Sequence, residues 1–311
     1  MIKPVLLRFH RWITLVFALP LLAIMITGLI LSVEPIAQAS GIRPQSIDAG
    51  RVVDLIKRYD PDGKARGLGL NAAAQTMKLQ GIDAPQIDLV TGDAAPATSN
   101  LSDLFRWARR THERLLGQSW LVTSSTVAML VIMTLGIAMG LPRLRNSLSG
   151  WHKGAAWFTL PLLVLSPLTG LLVALGVTFQ GAAPMAGTGQ RIALTDAVRT
   201  VAKSHDLSEV VSIGTRGGRV MARVLESGEL RAYTVTGDGM VALPRNWPRL
   251  IHEGNWSALI AGPLNVVTSV VLLGLLTTGL LIWGRRKLRR PQERSRQQRS
   301  RLVQLGKAGS L

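Results

Sequence analysis

The chain contains no cysteine in its 311 residues. Disulfides, iron–sulfur clusters, thiolate metal sites and covalent haem attachment through a CxxCH motif are therefore excluded. Acidic residues are also scarce, with 18 Asp and Glu against 36 Lys and Arg, so the net charge is +18. With 47% hydrophobic and 17% charged residues, the composition is apolar for a soluble enzyme and polar for a pure membrane bundle. It predicts membrane spans joined to sizeable aqueous segments.

Four segments are long enough to cross a bilayer, which requires about 20 apolar residues. None of them contains a charged residue. The first is followed by Ala37-Gln38-Ala39, which resembles a signal-peptide cleavage site. Its apolar run is longer than the roughly 7–15 residues of a signal h-region, so we interpret it as an uncleaved span. The four spans are predicted at residues 13–33, 121–141, 156–177 and 259–283.

Basic residues near the spans predict the orientation, because cytoplasmic loops carry an excess of Lys and Arg. The basic regions are the two termini and the loop between the second and third spans, which are predicted to be cytoplasmic. The two long segments between spans then lie outside, in the periplasm of a bacterium, so the protein is expected to be a multi-pass inner-membrane protein. The basic tail abuts a span, which favours contact with the lipid bilayer and makes nucleic acid the weaker partner. The residues that set this orientation are Lys3, Arg8, Arg11, Arg143, Arg145, Lys153 and the Lys and Arg residues from Arg285 onward.

Each long external segment resembles a small α+β domain. Apolar residues at helical spacing predict helices at 46–60 and 193–204. Strand-like stretches follow, and the last hairpin of each segment carries a Thr-Gly-Asp turn, at Gly92 and Gly237. We expect each of these glycines to supply the positive φ of a tight turn.

The chain is predicted to be an internal duplication in which a span, an external domain and a second span occur twice in the same orientation. The fold class is therefore an integral membrane, α-helical four-span bundle built as a tandem parallel repeat, with two periplasmic α+β domains. The predicted boundaries are an N-terminus with span 1 (1–34), external domain 1 (35–118), span 2 (119–141), a cytoplasmic loop (142–155), span 3 (156–177), external domain 2 (178–256), span 4 (257–284) and a basic cytoplasmic tail (285–311).

Four of the five histidines stand just outside the ends of the four spans: His10, His112, His152 and His252. The predicted topology places one histidine of each repeat on each face of the membrane, and a pseudo-twofold axis would bring the two members of each pair opposite one another. Two facing imidazoles are what a six-coordinate haem iron needs. The spacing therefore predicts two b-type haems, held by His10 and His152 on the cytoplasmic side and by His112 and His252 on the periplasmic side.

Other interpretations of these residues stay open. Each histidine alone could be an interfacial side chain with its polar tip in the headgroup layer. Zinc is the other metal that histidines could bind, although a structural zinc site requires four protein ligands. His205 has no counterpart and is expected to be a solvated surface residue. Gly28 and Gly170 follow Thr27 and Thr169, and both glycines are expected to lie level with the outer histidines. Nearby cations could hold haem propionates or contact lipid phosphate: Arg106, Arg109, Arg110 and Arg249 outside, and Arg8, Arg11 and Lys153 inside.

Several motifs together resemble the bacterial PepSY-associated transmembrane family. They are Phe9-His10-Arg11-Trp12, Trp107-x4-His112-Glu113, Trp151-His152-Lys153-Gly154, Ile251-His252-Glu253-Gly254 and the two Thr-Gly-Asp hairpins. The resemblance covers nearly the whole chain. It implies PepSY-like external domains and an inner-membrane protein similar to dihaem reductases that reduce ferric siderophores in the periplasm.

The leading hypothesis is transmembrane electron transfer through two haems to a periplasmic acceptor, with ferric iron in a siderophore as the expected substrate. The protein would then be an oxidoreductase in which the chemistry belongs to the cofactor, with no catalytic acid, base or nucleophile. The electron donor, a quinol or a cytoplasmic protein, stays open. The alternative is a membrane-anchored regulator whose PepSY-like domains bind peptides without redox activity. Metal permeation is disfavoured because no acidic residue lies within a span.

Overall fold

The computed structural model describes residues 2–95, 100–141, 145–181, 192–257 and 259–308. These residues form a bundle of apolar helices and, outside it, one β-sheet with helices packed on it. Arg143, one of the residues that set the predicted orientation, lies outside the described residues, as does part of the second external segment.

The described residues form ten α-helices, in chain order α1 (Ile2–Val16), α2 (Ala18–Ser40), α3 (Ala49–Tyr59), α4 (Asn100–Glu113), α5 (Ser119–Ala138), α6 (Leu148–Phe158), α7 (Leu160–Ala174), α8 (Leu194–Ala202), α9 (Trp247–Glu253) and α10 (Ala261–Ala308). Helices α2 and α5 and the part of α10 over Ala261–Leu288 are each long and apolar enough to cross a membrane. Helices α6 and α7 meet that test together, with a bend of 66° between them. The bundle therefore has three candidate spans, or four if the bent pair is one span.

The helices at the first and third predicted spans are both interrupted shortly before a proline. Helix α1 ends and α2 begins around Phe17, three residues before Pro20, and α6 gives way to α7 at Thr159, two residues before Pro161. Proline lacks a backbone N–H and its ring crowds the preceding turn, so it favours a break or kink there. The breaks separate α1 and α6, which carry His10 and His152, from the spans that follow them.

Seven strands form a single antiparallel sheet in the order β3-β2-β1-β4-β5-β6-β7. Strands β1 to β3 belong to the first external segment and β4 to β7 to the second. In chain order the strands are β1 (Gly67–Asn71), β2 (Thr76–Gln80), β3 (Gln86–Asp88), β4 (Val210–Arg216), β5 (Arg219–Glu226), β6 (Glu229–Thr236) and β7 (Gly239–Ala242).

The two external segments share one hydrophobic core, which differs from the expectation of two separate domains. Helices α3 and α8 contact each other, and their apolar residues join those of the sheet in one cluster that includes Val52, Leu68, Val198 and Ile213. Three short strands and one helix bury little apolar surface on their own, whereas joining the halves gives a seven-stranded layer with a common core. The helices at 46–60 and 193–204 are confirmed as α3 and α8.

The halves are joined where β1 pairs with β4. Gly67 lies opposite Gly214 in this pairing. A Cβ added at Gly67 would lie 2.6 Å from the Gly214 Cα and 2.6 Å from the Ile213 carbonyl oxygen. The backbones therefore approach so closely that only glycine fits at position 67.

One expectation about the turns is corrected. Gly92 has a φ of 80°, as its Thr-Gly-Asp turn requires, but in the second hairpin the positive φ of 153° belongs to Gly239 rather than Gly237. Gly237 and Asp238 connect β6 directly to β7 as a two-residue turn, and the positive φ falls on the residue that follows them. After β3 the chain instead makes a wider turn through Asp88, whose carboxylate accepts hydrogen bonds from the N–H groups of Val90 and Thr91.

Replacing Gly67 by alanine tests the joint between the halves. The new Cβ meets backbone atoms that cannot move independently, so we expect Gly67→Ala to lower the free energy of unfolding by about 1–3 kcal/mol. Thermal unfolding of the detergent-purified protein measures this. Gly237→Ala is the matched control, since a Cβ there would meet nothing within 4 Å. Equal stability of the two variants would contradict the proposed tight joint.

Candidate functional site

The outer two histidines face each other between the helix bundle and the β-sheet with its packed helices. His112 lies on α4 and His252 on α9, and their ring centroids are 6.0 Å apart with an angle of 33° between the ring planes. The two residues are 140 positions apart in the chain. The structure therefore brings together the outer pair that the repeat predicts.

Each outer histidine is oriented by a bundle helix from its own half of the chain. The Nδ1 atom of His112 lies 3.1 Å from the carbonyl oxygen of Ile24 on α2, and that of His252 lies 3.0 Å from the carbonyl oxygen of Ser166 on α7. Ile24 follows His10 by 14 residues, and Ser166 follows His152 by 14. The two halves therefore hold their outer imidazoles with equivalent backbone atoms.

A glycine four residues after each of these carbonyls makes room for the ring. A Cβ at Gly28 would lie 3.2 Å from His112 Cε1, and one at Gly170 would lie 2.7 Å from His252 Cε1. A side chain at Gly170 would displace the His252 ring, whereas one at Gly28 would require the His112 ring to shift by a few tenths of an ångström. The expectation that Gly28 and Gly170 lie level with the outer histidines is confirmed.

The inner histidines use the same arrangement against the other two spans. His10 on α1 places Nδ1 3.0 Å from the carbonyl oxygen of Ile132 on α5. His152 on α6 places Nδ1 2.8 Å from the hydroxyl of Thr278 on α10 and also bonds the backbone of Leu275. Electrostatic interaction links His10 with His152, so these two residues form the inner pair.

The inner carbonyls also precede glycines by four residues. Ile132 is followed by Gly136 and Leu275 by Gly279. A Cβ at Gly279 would lie 3.5 Å from His152 Cε1, whereas one at Gly136 would meet nothing within 4 Å. The steric need for glycine is thus strongest at the outer pair.

All four Nδ1 atoms face hydrogen-bond acceptors, and this fixes the imidazole tautomer. A carbonyl oxygen can only accept, so Nδ1 carries the proton and donates it. The hydroxyl of Thr278 already donates to the Gly274 carbonyl, so its oxygen accepts from His152. Each Nε2 is then left unprotonated, with a lone pair that could bind a metal ion. Proteins commonly orient a histidine ligand in this way, by a hydrogen bond from its other ring nitrogen.

Burial keeps the outer imidazoles neutral. Burial, and after it the neighbouring His252, lowers the pKa of His112 to about 4. Burial also lowers the pKa of His252. Because both values fall below neutral pH, the rings are uncharged there, which is the form that ligates a metal.

Each site offers two protein ligands. Among the residues that the structure describes, no three or more His, Cys, Asp or Glu side chains come together as a metal site. Glu253 pairs with Arg249 at 3.1 Å and accepts from Asn255 at 2.7 Å, so its carboxylate is held away from the imidazoles. Each site therefore offers two imidazoles, and at the outer site the two rings face each other.

Two of the cations predicted near the outer pair are close enough to act on it. Arg109 and Arg249, each three residues before an outer histidine, interact electrostatically with His112 and His252 respectively. Arg109 forms an ion pair with Glu34 on the outer extension of α2. Arg106 pairs with Asp103 at 3.1 Å, and Arg110 is exposed.

On the inner side, Lys153 interacts electrostatically with His152. Arg11 follows His10 on α1 and is half-buried, while Arg8 is exposed.

The sequence did not single out Glu34 or Arg223 as parts of the outer site. Arg223 lies on β5, yet its charge interacts with Glu253, Arg249, Arg109 and Glu34. Its place depends on how the external sheet sits over the bundle, so no local pattern in the sequence could have indicated it.

The expectation for His205 is wrong. Its side chain is only 17% exposed, with Nε2 2.7 Å from the Glu226 carboxylate and Nδ1 3.0 Å from the Ser204 hydroxyl. Tyr233 donates to the same carboxylate, and burial together with that hydrogen bond raises the pKa of Tyr233 to about 12. The network forms because α8 ends beside β5 and β6 of the shared sheet. It contains none of the four paired histidines.

Apolar helices long enough to span a bilayer, with paired histidines at their ends, define an α-helical membrane protein. A family model described as the PepSY-associated TM region matches residues 7–286, which is nearly the whole chain. The chain belongs to this family, as the histidine motifs indicated. No curated protein matches the chain.

Replacing Gly170 by alanine tests the packing of an imidazole on the helix surface. Alanine is intrinsically more favourable than glycine within a helix by about 1 kcal/mol. The Cβ would nevertheless meet His252 Cε1 at 2.7 Å, so we expect Gly170→Ala to lower stability by about 1–3 kcal/mol. Gly274→Ala in α10 is the control, because nothing lies within 4 Å there. Thermal unfolding should show a loss for the first variant and none for the second, and a stabilised Gly170→Ala would refute the contact.

Proposed function

We propose that this protein carries electrons across the membrane through two b-type haems and reduces an acceptor outside, with ferric iron in a siderophore as the substrate. His10 and His152 hold one haem on the cytoplasmic side, and His112 and His252 hold the other on the periplasmic side. The protein is then a ferric-chelate reductase that aids iron uptake. Bound haem supplies reversible one-electron transfer at its iron.

The observation that carries the proposal is the geometry of the outer pair. Two imidazoles on opposite sides of one metal ion, each with a metal–nitrogen bond of about 2 Å, place their ring centroids about 6 Å apart. The centroids of His112 and His252 are 6.0 Å apart. Their Nδ1 atoms are both engaged by carbonyl oxygens, so Nε2 is the ligating atom at this separation. The residues therefore fit a bis-histidine haem.

The ligand set supports haem over zinc. A structural zinc ion takes four protein ligands and a catalytic one takes three. A haem iron takes four of its six ligands from the macrocycle and needs only two from the protein. The two imidazoles at each end of the bundle match the two protein ligands that a haem iron needs.

The topology is part of the proposal. In it, the bent pair α6–α7 is one span, so that four spans form a tandem parallel repeat. Both termini lie in the cytoplasm of a bacterium. The β-sheet and its packed helices, which form two PepSY-like halves, lie in the periplasm. The equivalent carbonyls Ile24 and Ser166 support this duplication, and the basic flanks support the orientation. Fourteen residues separate His10 from Ile24, which corresponds to at most about 21 Å of helix. This distance supports placing the two pairs toward opposite ends of the bundle.

The remaining residues position the cofactors and exclude water. The helix carbonyls hold the imidazoles in one tautomer, and the glycines let the rings lie flat on the spans. Arg109 and Arg249 stand beside the outer pair, where they would bind haem propionates, and Lys153 has the same role at the inner pair. Electrons enter on the His10 side from a quinol or a cytoplasmic donor and leave on the His112 side.

The substrate step transfers one electron to ferric iron outside the membrane. The ferrous ion that results is a softer cation than ferric iron and is bound less tightly by hard oxygen ligands. It therefore leaves the siderophore. No side chain of this protein donates or accepts a proton in that step.

Haem content tests the function. The purified protein should show reduced b-type haem absorption at about two haems per chain. His112→Ala should lose the outer haem and His10→Ala the inner one, each variant keeping the other haem. His205→Ala is the matched control, because His205 bonds Glu226 and belongs to neither pair. A colourless protein that cannot be reconstituted with haem would reject the proposal and favour the peptide-binding regulator.

A further inference from the structure

The four bundle helices that contact the paired histidines carry the same five-residue pattern at the point of contact. The backbone of its first residue accepts a hydrogen bond from the imidazole. The fourth residue is threonine or leucine and the fifth is glycine. Residues three and four apart share one face of a helix, so all three positions lie beside the ring. We refer to each copy as an imidazole cradle: Ile24–Gly28 on α2, Ile132–Gly136 on α5, Ser166–Gly170 on α7 and Leu275–Gly279 on α10.

In two of the cradles the threonine hydroxyl contacts the ring nitrogen. Thr278 Oγ1 lies 2.8 Å from His152 Nδ1, and Thr27 Oγ1 lies 3.2 Å from His112 Nδ1. Each hydroxyl donates its own hydrogen to the carbonyl oxygen four residues before it, at 2.7 Å for Thr278 and 2.8 Å for Thr27. The hydroxyl oxygen is therefore an acceptor for the imidazole N–H. These two threonines give their rings an acceptor in addition to the helix backbone.

The other two cradles do not provide a hydroxyl to the ring. Within the part of the chain that the structure describes, the Thr169 hydroxyl bonds back to two carbonyls of its own helix and not to His252. In the cradle of His10 the fourth residue is Leu135, whose side chain has no hydrogen-bonding group. Each histidine pair therefore has one ring that meets both backbone and hydroxyl, and one ring without the hydroxyl.

The glycine position sets His10 apart from the other three rings. A Cβ at Gly28, Gly170 or Gly279 would lie 3.2, 2.7 or 3.5 Å from the nearest atom of the imidazole. A Cβ at Gly136 would meet nothing within 4 Å. The ring of His10 thus has neither the hydroxyl nor the close packing on glycine, and it is the least constrained of the four.

We propose that Thr27 and Thr278 are positioning residues, each holding one ligand imidazole at its haem site, and that Leu135 leaves His10 the most easily released of the four ligands. The inference rests on the proposed function, because it concerns the histidines that would hold the haems. A hydrogen bond from Nδ1 fixes the rotation of the ring and raises the basicity of Nε2. Loss of the acceptor therefore weakens the ligand.

Release of haem from each site tests the proposal without any measurement of turnover. Full-length purified protein is mixed with excess apomyoglobin, which captures released haem, and the transfer is followed by absorption. His10→Ala keeps the outer haem and His112→Ala the inner one, so these variants assign the two kinetic phases. In the unmodified protein the inner phase should be the faster one.

Removing a hydroxyl should act on one site only. Thr278→Val keeps the shape of the side chain and should speed release from the inner site about tenfold, the lower end of what loss of a supporting hydrogen bond costs a metal ligand. Thr27→Val should do the same at the outer site. Thr278→Ser keeps a hydroxyl and should restore slow release, which separates the hydrogen bond from a merely structural role.

The chain offers matched controls beside the cradles. Thr277 and Thr134 are exposed and donate to carbonyls of their own helices. Thr277→Val and Thr134→Val should change neither phase, and Thr169→Val should leave the outer phase unchanged.

Leu135→Thr supplies the missing hydroxyl and should slow release from the inner site. This gain of retention is the sharpest expectation, because damage to the fold would speed release instead. If Thr278→Val and Thr277→Val release haem equally, the hydroxyl has no positioning role, although the electron path stands. If the inner phase is the slower one in the unmodified protein, His10 is not the weakest ligand. A protein that binds no haem would reject the proposed function and this inference together.

Discussion

The arrangement of this protein depends on one repeated hydrogen bond, from a histidine Nδ1 to an acceptor on a neighbouring helix. In the interior of a membrane helix, each carbonyl oxygen already accepts a hydrogen bond from the N–H group four residues further on. A second donor can reach the remaining lone pair of that oxygen only where side chains leave space. A glycine one turn further provides that space at Gly28 and Gly170. The contact determines the tautomer, the ring orientation and the height of each imidazole in the bundle.

Because each histidine and its acceptor lie on different helices, the same contacts also hold the bundle together. His112 ties α4 to α2, and His252 ties α9 to α7. The external sheet then joins the two halves through the Gly67–Gly214 pairing. The outer pair consequently lies between the helix bundle and the β-sheet. Metal sites built in this way are preorganised by their supporting hydrogen bonds rather than by the ligands alone.

The sequence predicted the features that depend on local pattern or on the repeat. Apolar length predicted the spans, helical spacing predicted α3 and α8, and the common 17-residue distance from histidine to Thr-Gly placed Gly28 and Gly170 at the outer site. The single shared sheet was not predicted, because pairing between β1 and β4 joins segments more than 140 residues apart. Arg223 was missed because its position depends on how the sheet sits over the bundle. The His205–Glu226 contact was missed because it joins the end of α8 to β5 across 21 residues, which no local pattern indicates. The identity of the acceptor has no local signature at all.

A density map of the purified protein tests the central claim most directly, because it shows whether each histidine pair holds a cofactor and through which atoms. The account predicts a planar macrocycle at each end of the bundle, with its iron between the Nε2 atoms of His112 and His252 outside and of His10 and His152 inside. Facing imidazoles with only water or side chains between them, or an iron bound through Nδ1, would contradict it.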